Sequence, residues 1–232
     1  MDEKMKEAME TLLHFLKKQD PLIDEAIKRS GVTPTCKRGC AHCCSMLATI
    51  HVMEGLLLAR EALKLPSWRR IAMKARSASI AGRGIYDTAE YFAKGIECPL
   101  LDPESKDCMV YEARPGPCRQ HFAASPPEMC DPAFNTGRQP VSLFDGHQFV
   151  KVTLKLCCEL AGCLMSASLP LMLLWCMGKM APDKDKKLFQ KLVRDLPTPT
   201  DWFRVAMVIE EVHAGQGATH GQESTDSRSE HA

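Results

Sequence analysis

Four cysteines, Cys36, Cys40, Cys43 and Cys44, follow one another as C-x3-C-x2-C-C, and Cys98, Cys108, Cys118 and Cys130 come after them. Thiols at this density can form bridges, carry redox chemistry or hold a metal. The chain has 232 residues, 45% of them hydrophobic, so it can bury a core without cross-links. The opening MDEKMKEAMETLLHFLKK interleaves acids with bases and lacks the basic start and unbroken apolar run of a secretory signal. A cytoplasmic location is therefore the expectation. In that reducing setting clustered cysteines are metal ligands or catalysts more often than bridges.

Spacing sharpens the choice. On a helix, steps of four, three and one residues would set the first four sulfurs within an arc of roughly 100°. Gly39 favours a loop-to-helix transition instead, with Cys40, Cys43 and Cys44 on the first turn. Thiolates so close repel one another unless a cation neutralises them, and a helix N-terminus with Lys37 and Arg38 beside it lowers their pKa. That is a setting for a soft metal. Cys98, Cys108 and Cys118 lie beside turn residues in polar, proline-rich sequence, unlike buried free thiols on apolar stripes. These seven are the expected ligands; Cys130 stands open between an eighth ligand and a free thiol. Tetrahedral zinc and a 4Fe-4S cluster each take four thiolates, so the set suits one site with spare thiols, or two sites. Zinc and iron both accept such donors.

Several neighbours carry two readings each. Arg114 and Arg119 either offset the charge of the sulfurs or form surface salt bridges. His42 and His121 either replace a thiol ligand or are exposed loop histidines. His51 would stand about 10 Å above Cys44 on a continuous helix, too far to join its ligands; with Glu54 it is expected to serve as a cap or a buried polar contact.

The order of these blocks resembles the cysteine-cluster proteins of the YkgJ-like, or CxxCxxCC, family. Cys36, Cys40, Cys43 and Cys44 supply the first block. Cys98-Pro99-Leu100-Leu101, Cys108-Met109-Val110-Tyr111, Arg114-Pro115 and Cys118-Arg119 supply the rest, with Phe122 at the usual aromatic position. His51 departs from the Ser or Thr that the family places three residues before Glu54. The resemblance covers about residues 36 to 122 and implies a zinc- or iron-chelating, or iron–sulfur, function. Flagellin lysine N-methylases carry a similar signature, so it also implies, more distantly, an iron–sulfur-dependent methyltransferase acting on a protein substrate. A store that delivers metal to an accepting partner is a third reading, suited by the adjacent thiols Cys43 and Cys44.

The elements that must position these thiols are mainly α-helical, so the expected fold is a helical domain with an irregular cysteine-rich metal-binding region. Residues 1–32 form an N-terminal helical segment whose apolar positions run from Met5 to Ile27. Asp20 and Pro21 suggest two helices meeting there. Residues 33–132 form the metal-binding region, beginning irregularly at Thr33. Within it helical patterns run over Ser45–Leu65, Trp68–Ile80 and Tyr86–Lys94. The stretch from Gly95 to Pro140 has no sustained period; a loop of that length inside a domain needs something other than apolar packing to hold it. Residues 133–214 form a helical C-terminal part of the same domain, with Val141–Leu156 open between a strand pair and a helix, and amphipathic helices over Asp183–Leu196 and Trp202–His213. Residues 215–232 read as a disordered tail.

Other classes of function find less support. Thirty basic against twenty-nine acidic side chains give a formal charge of +1, and 6% of residues are aromatic, so nucleic acid is not an expected partner. The basic run from Arg60 to Arg83 is expected to be a solvated helix face. Ala161–Gly178 is uncharged over nearly the length of a membrane span, but Gly162, Ser166, Ser168 and Pro170 interrupt it. A buried helix kinked or split at Pro170 is the expectation. Cys157, Cys158, Cys163 and Cys176 are expected to pack its core.

Overall fold

Helix α1 (Glu3–Ser30) begins the fold in a computed structural model that describes residues 3–31, 33–36, 39–131, 133–134 and 146–201. It runs unbroken through Pro21, so the expected junction of two helices does not occur. The reason lies in its buried stripe. Met9, Leu12, Leu16, Gln19, Ile23 and Ile27 continue at three- and four-residue steps across the proline, so both halves bury the same face. Asp20, expected to cap a second helix, instead reaches the cysteine-rich region.

Two short strands and two helices form the centre. Strand β1 (Thr49–His51) leads directly into α2 (Val52–Lys64), so the helix expected from Ser45 begins at residue 52. Helix α3 (Trp68–Ala81) and the short α4 (Thr88–Ala93) follow, then the four-residue α5 (Gly116–Arg119). Helix α6 (His147–Ala161) makes residues 147–156 of the ambiguous segment Val141–Leu156 helical, and residues 141–145 lie outside the described residues. Gly162, at φ 66°, ends α6 in the left-handed conformation that glycine adopts at no steric cost. The chain then turns back through β2 (Ser166–Ser168), which pairs antiparallel with β1 with Ile50 opposite Ala167.

Helix α7 (Leu169–Met180) begins immediately afterwards, with Pro170 in its first turn. The uncharged segment is thus divided among a helix end, a strand and a helix, and Pro170 starts a helix where a missing N–H costs nothing. Among the described residues no helix is long and apolar enough to cross a membrane. Helix α7 packs on α2 and α3. At Gly55 of α2 an added Cβ would stand 2.4 Å from Met172 Cγ, so the two helices approach at a position where only hydrogen fits. Helix α8 (Asp183–Val193) closes the core, with Phe189 stacked on Trp68 at 5.8 Å. The expected amphipathic helix at 202–213 and the tail at 215–232 lie outside the described residues.

The basic run on α3 is a clamp more than a free solvated face. Arg69 pairs with Asp185 at 3.0 Å, Arg76 donates to the carbonyl of Leu192, and Arg83 donates to that of Asp195. These contacts hold α8 and the residues after it against α3.

Candidate metal centre

The first cysteine block is held by partners nearly ninety residues later in the chain. Thr35 donates its N–H to the carbonyl of Ala123 at 2.8 Å and its hydroxyl to that of Ser125 at 2.6 Å. Ala123 returns its own N–H to Cys36 Sγ at 3.2 Å. Gly39 has φ 81°, which turns the chain sharply between Cys36 and Cys40. Cys43 and Cys44 lie in a 3-10 turn, His42–Ser45, and not on the first turn of an α-helix; the chain extends at Met46 and enters β1.

The second block is tied to the first through backbone. Cys98 N–H donates to the carbonyl of Cys44 at 2.7 Å, so these two cysteine segments are hydrogen-bonded neighbours. Met109 donates to Leu100 at 2.9 Å and Leu101 faces Cys108 in an isolated bridge, which folds residues 101–108 into a return loop. Asp102 closes it by accepting from the N–H groups of Glu104 and Ser105. Cys118 lies in α5, and the position of α5 is set by Glu54.

Glu54 is buried at the start of α2. One oxygen accepts the His51 N–H at 2.9 Å; the other accepts the Gly116 N–H, at the start of α5, at 2.7 Å. Burial pushes its carboxyl above the usual value, and both backbone donors oppose that shift. His51 completes the cap: Nδ1 accepts from Met53 N–H at 3.2 Å, while Nε2 lies 2.9 Å from the carbonyl of Cys163. That pattern assigns the proton to Nε2. His51 therefore caps α2, in line with its spacing.

The two arginines separate in role. Arg119 is fully buried; it pairs with Asp20 of α1 at 2.5 Å, donates Nε to the carbonyl of Arg114 at 2.8 Å, and donates Nη2 to that of Glu112. It moors the loop to α1. Arg114 stacks on the Tyr111 ring at 3.5 Å, lines the thiol cavity, and its charge favours the thiolate forms of Cys43, Cys108 and Cys118.

All seven expected ligands line one cavity of about 510 Å³, and Cys130 joins them. A 3-10 turn, Pro127–Cys130, packs against the His42–Ser45 turn and brings Cys130 in. Burial first, then the nearby Cys36, Cys40 and Cys43, push the Cys130 thiol up to about 11. Cys98 and Cys118 are driven well above the ordinary thiol value, by burial and then by other thiols of the cavity. Burial also raises Cys108 and Cys36. Cys43 is raised most, by its hydrogen bond with Cys44 and then by burial. Each negative charge here makes the next more costly, so the thiols keep their protons unless a cation replaces them.

The donor chemistry fits a soft cation. Every cysteine is a free thiol, and the cavity gathers eight of them. His121 adds a second observation. Its Nε2 is buried and has no hydrogen-bond partner, it lines the same cavity, and burial holds the ring below its usual pKa, as a neutral nitrogen donor. Spacing alone leans toward an exposed loop histidine; the buried, unpaired nitrogen favours the other reading. Among the described residues, no three Cys, His, Asp or Glu side chains are drawn together tightly enough to enclose a metal ion.

The remaining cysteines lie apart. Cys157 and Cys176 are fully buried in the apolar core, as expected of packing residues. Cys158 is half-buried, and Cys163 is exposed between α6 and β2. These two depart from the expectation: Cys158 lies off the buried face of α6, on which Thr153 and Cys157 lie, and Cys163 follows the turn at Gly162.

Residues 35–140, a little under half of the chain, match the CxxCxxCC family model, described as "Putative zinc- or iron-chelating domain". No curated protein and no solved structure matches the chain.

Proposed function

With a CxxCxxCC-family domain over residues 35–140 as the premise, we propose that this protein chelates zinc or iron through the thiols of Cys36, Cys40, Cys43, Cys44, Cys98, Cys108 and Cys118. The observation that carries the reading is their meeting in one cavity, from stretches up to eighty residues apart, while the four C-terminal cysteines lie elsewhere. Zinc bound there would fix the irregular stretches that carry Cys98, Cys108 and Cys118, since metal binding to such segments is folding energy. An iron–sulfur cluster would do the same and add an electron-transfer or Lewis-acid centre. The protein's own part is to supply thiolates, to offset their charge with Arg114, and to position the ligand loops through Glu54 and Arg119.

Anaerobic purification followed by metal, acid-labile sulfide and visible-absorption measurements tests this. Stoichiometric zinc in colourless protein, or iron and sulfide in brown protein, supports chelation and names the metal. Folded protein that carries no metal and takes none up on reconstitution with zinc or ferrous iron and sulfide contradicts it.

A further inference from the structure

Two thiols belong neither to the cysteine cavity nor to the apolar core. Cys163 is exposed and Cys158 half-buried, whereas the nearby Cys157 and Cys176 are fully buried. The turn that ends α6 brings the first two together. Gly162, at φ 66°, donates its N–H to the Cys158 carbonyl at 2.8 Å. A helix closed in this left-handed way returns the residue after the glycine over its last turn, toward the position that Cys158 fills. One ring nitrogen then fixes both residues: His51 Nε2 lies 2.9 Å from the Cys163 carbonyl and 3.9 Å from Cys158 Sγ. His51 is a firm platform, because it caps α2 and, as the last residue of β1, pairs with Ser166 of β2. The turn is thus pinned on both sides. The two sulfurs also lie near enough that charge on Cys163 opposes ionisation of Cys158.

We propose that Cys158 and Cys163 form a redox-active dithiol that small disulfides oxidise to an intramolecular disulfide, a modification site separate from the metal centre. Cys163, the exposed partner, meets the oxidant first. Its thiolate attacks one sulfur of a low-molecular-weight disulfide such as oxidised glutathione. The S–S bond of the oxidant breaks, and one glutathione leaves as a thiolate that takes a proton from solvent. The Cys158 thiolate then attacks the Cys163 sulfur and displaces the second glutathione. The two cysteines together give up two protons and two electrons, and the oxidant gains both as it becomes two thiols. The Nε2 proton of His51 stands beside the Cys158 sulfur and steadies its thiolate for that attack. The product ties the last turn of α6 to the residue that leads toward β2. In a reducing compartment such a bond is transient and serves to sense oxidant.

The test treats the full-length protein, as purified, with oxidised glutathione. Free thiols are then alkylated, and the linkage is mapped by mass spectrometry after cleavage at Lys155, Glu159 and Lys179. The expected result is peptide 156–159 joined to peptide 160–179 through Cys158 and Cys163, with Cys157 and Cys176 alkylated. Cys158→Ser is expected to stop halfway, releasing one glutathione and keeping the other on Cys163. Cys163→Ser is expected to leave Cys158 reduced. A lasting glutathione adduct on Cys163 of the unmodified chain overturns the pairing, because it leaves Cys163 a single exposed thiol. A bond from Cys163 to any other cysteine, or no reaction at either thiol, overturns it as well.

Discussion

Cys176 and Cys43 show two ways in which this chain encloses sulfur. Cys176 sits on α7 among Met172, Leu173 and Met177, in a seam where α2 contributes Gly55, and its thiol is a small apolar filler. Its surroundings would be just as well packed if sulfur had no chemistry. Cys43 sits in a 3-10 turn walled by other thiols, Tyr111 and Arg114, on segments without helical period. There the neighbours raise the cost of one another's ionisation, so the thiolate forms are stable together only around a cation. The helical core is held by apolar packing; under the proposed function, the cysteine-rich region adds a bound cation to its hydrogen bonds and its contacts with that core.

Metal removal should break the comparison most visibly. Chelation, or Cys43→Ser, is expected to free residues between Gly95 and Cys130 for proteolysis while far-UV circular dichroism keeps most of its helical signal. Structural zinc contributes about 10–16 kcal/mol in small zinc domains, so the loss in the cysteine-rich region should be near complete. Coincident loss of all helices would show that the two regions do not differ in this way.

Glu54 is the joint between the regions. Glu54→Ala leaves the N–H groups of His51 and Gly116 without their acceptors, and at about 1–3 kcal/mol for each buried group it should destabilise the protein by roughly 2–6 kcal/mol in chemical denaturation. It should also weaken metal affinity, because α5 and Cys118 lose their anchor. An unchanged affinity would show that α5 is placed by other contacts.

Cys176→Ala removes one buried heavy atom from a packed seam, and about 1–2 kcal/mol is expected, with metal content unchanged. Loss of metal from that variant would contradict its role as filler. Cys163→Ser, at an exposed position, should fall within about 0.5 kcal/mol in thermal or chemical denaturation.

The pH dependence should differ in sign between the free and loaded forms. In the metal-free protein the folded Cys130 thiol titrates at about 11, above the ordinary 9.0. The unfolded chain therefore holds fewer protons between those values, and stability falls as pH rises from about 9 to 11. With metal bound the thiolates are stabilised, so stability should instead fall on acidification, as protons compete with the cation. Denaturation across pH with and without metal checks both signs; the same trend in both forms would contradict the placement of the thiols around a cation.

The sequence carried the elements whose cause is local. The periodic stripe of α1, the cap at His51 and the cysteine spacing are written in neighbouring residues and were legible as such. What was not legible depended on partners far away. Pro21 reads as a helix start until the buried face is seen to continue past it. Pro170 reads as a kink until β2 is found paired with β1. The arginines of α3 read as a solvated face because Asp185 and the carbonyls they bind lie more than a hundred residues later. Cys130 and His121 were ambiguous for the same reason, since only the packing of one turn on another and an unpaired buried nitrogen mark them.

X-ray absorption at the metal edge of the purified, loaded protein tests the central claim most directly. A shell composed of sulfur, at about 2.3 Å for zinc, is the predicted result, reduced in sulfur content by Cys108→Ser. A shell dominated by oxygen, or one that is unchanged when Cys36, Cys43 and Cys118 are replaced together by serine, would contradict the account.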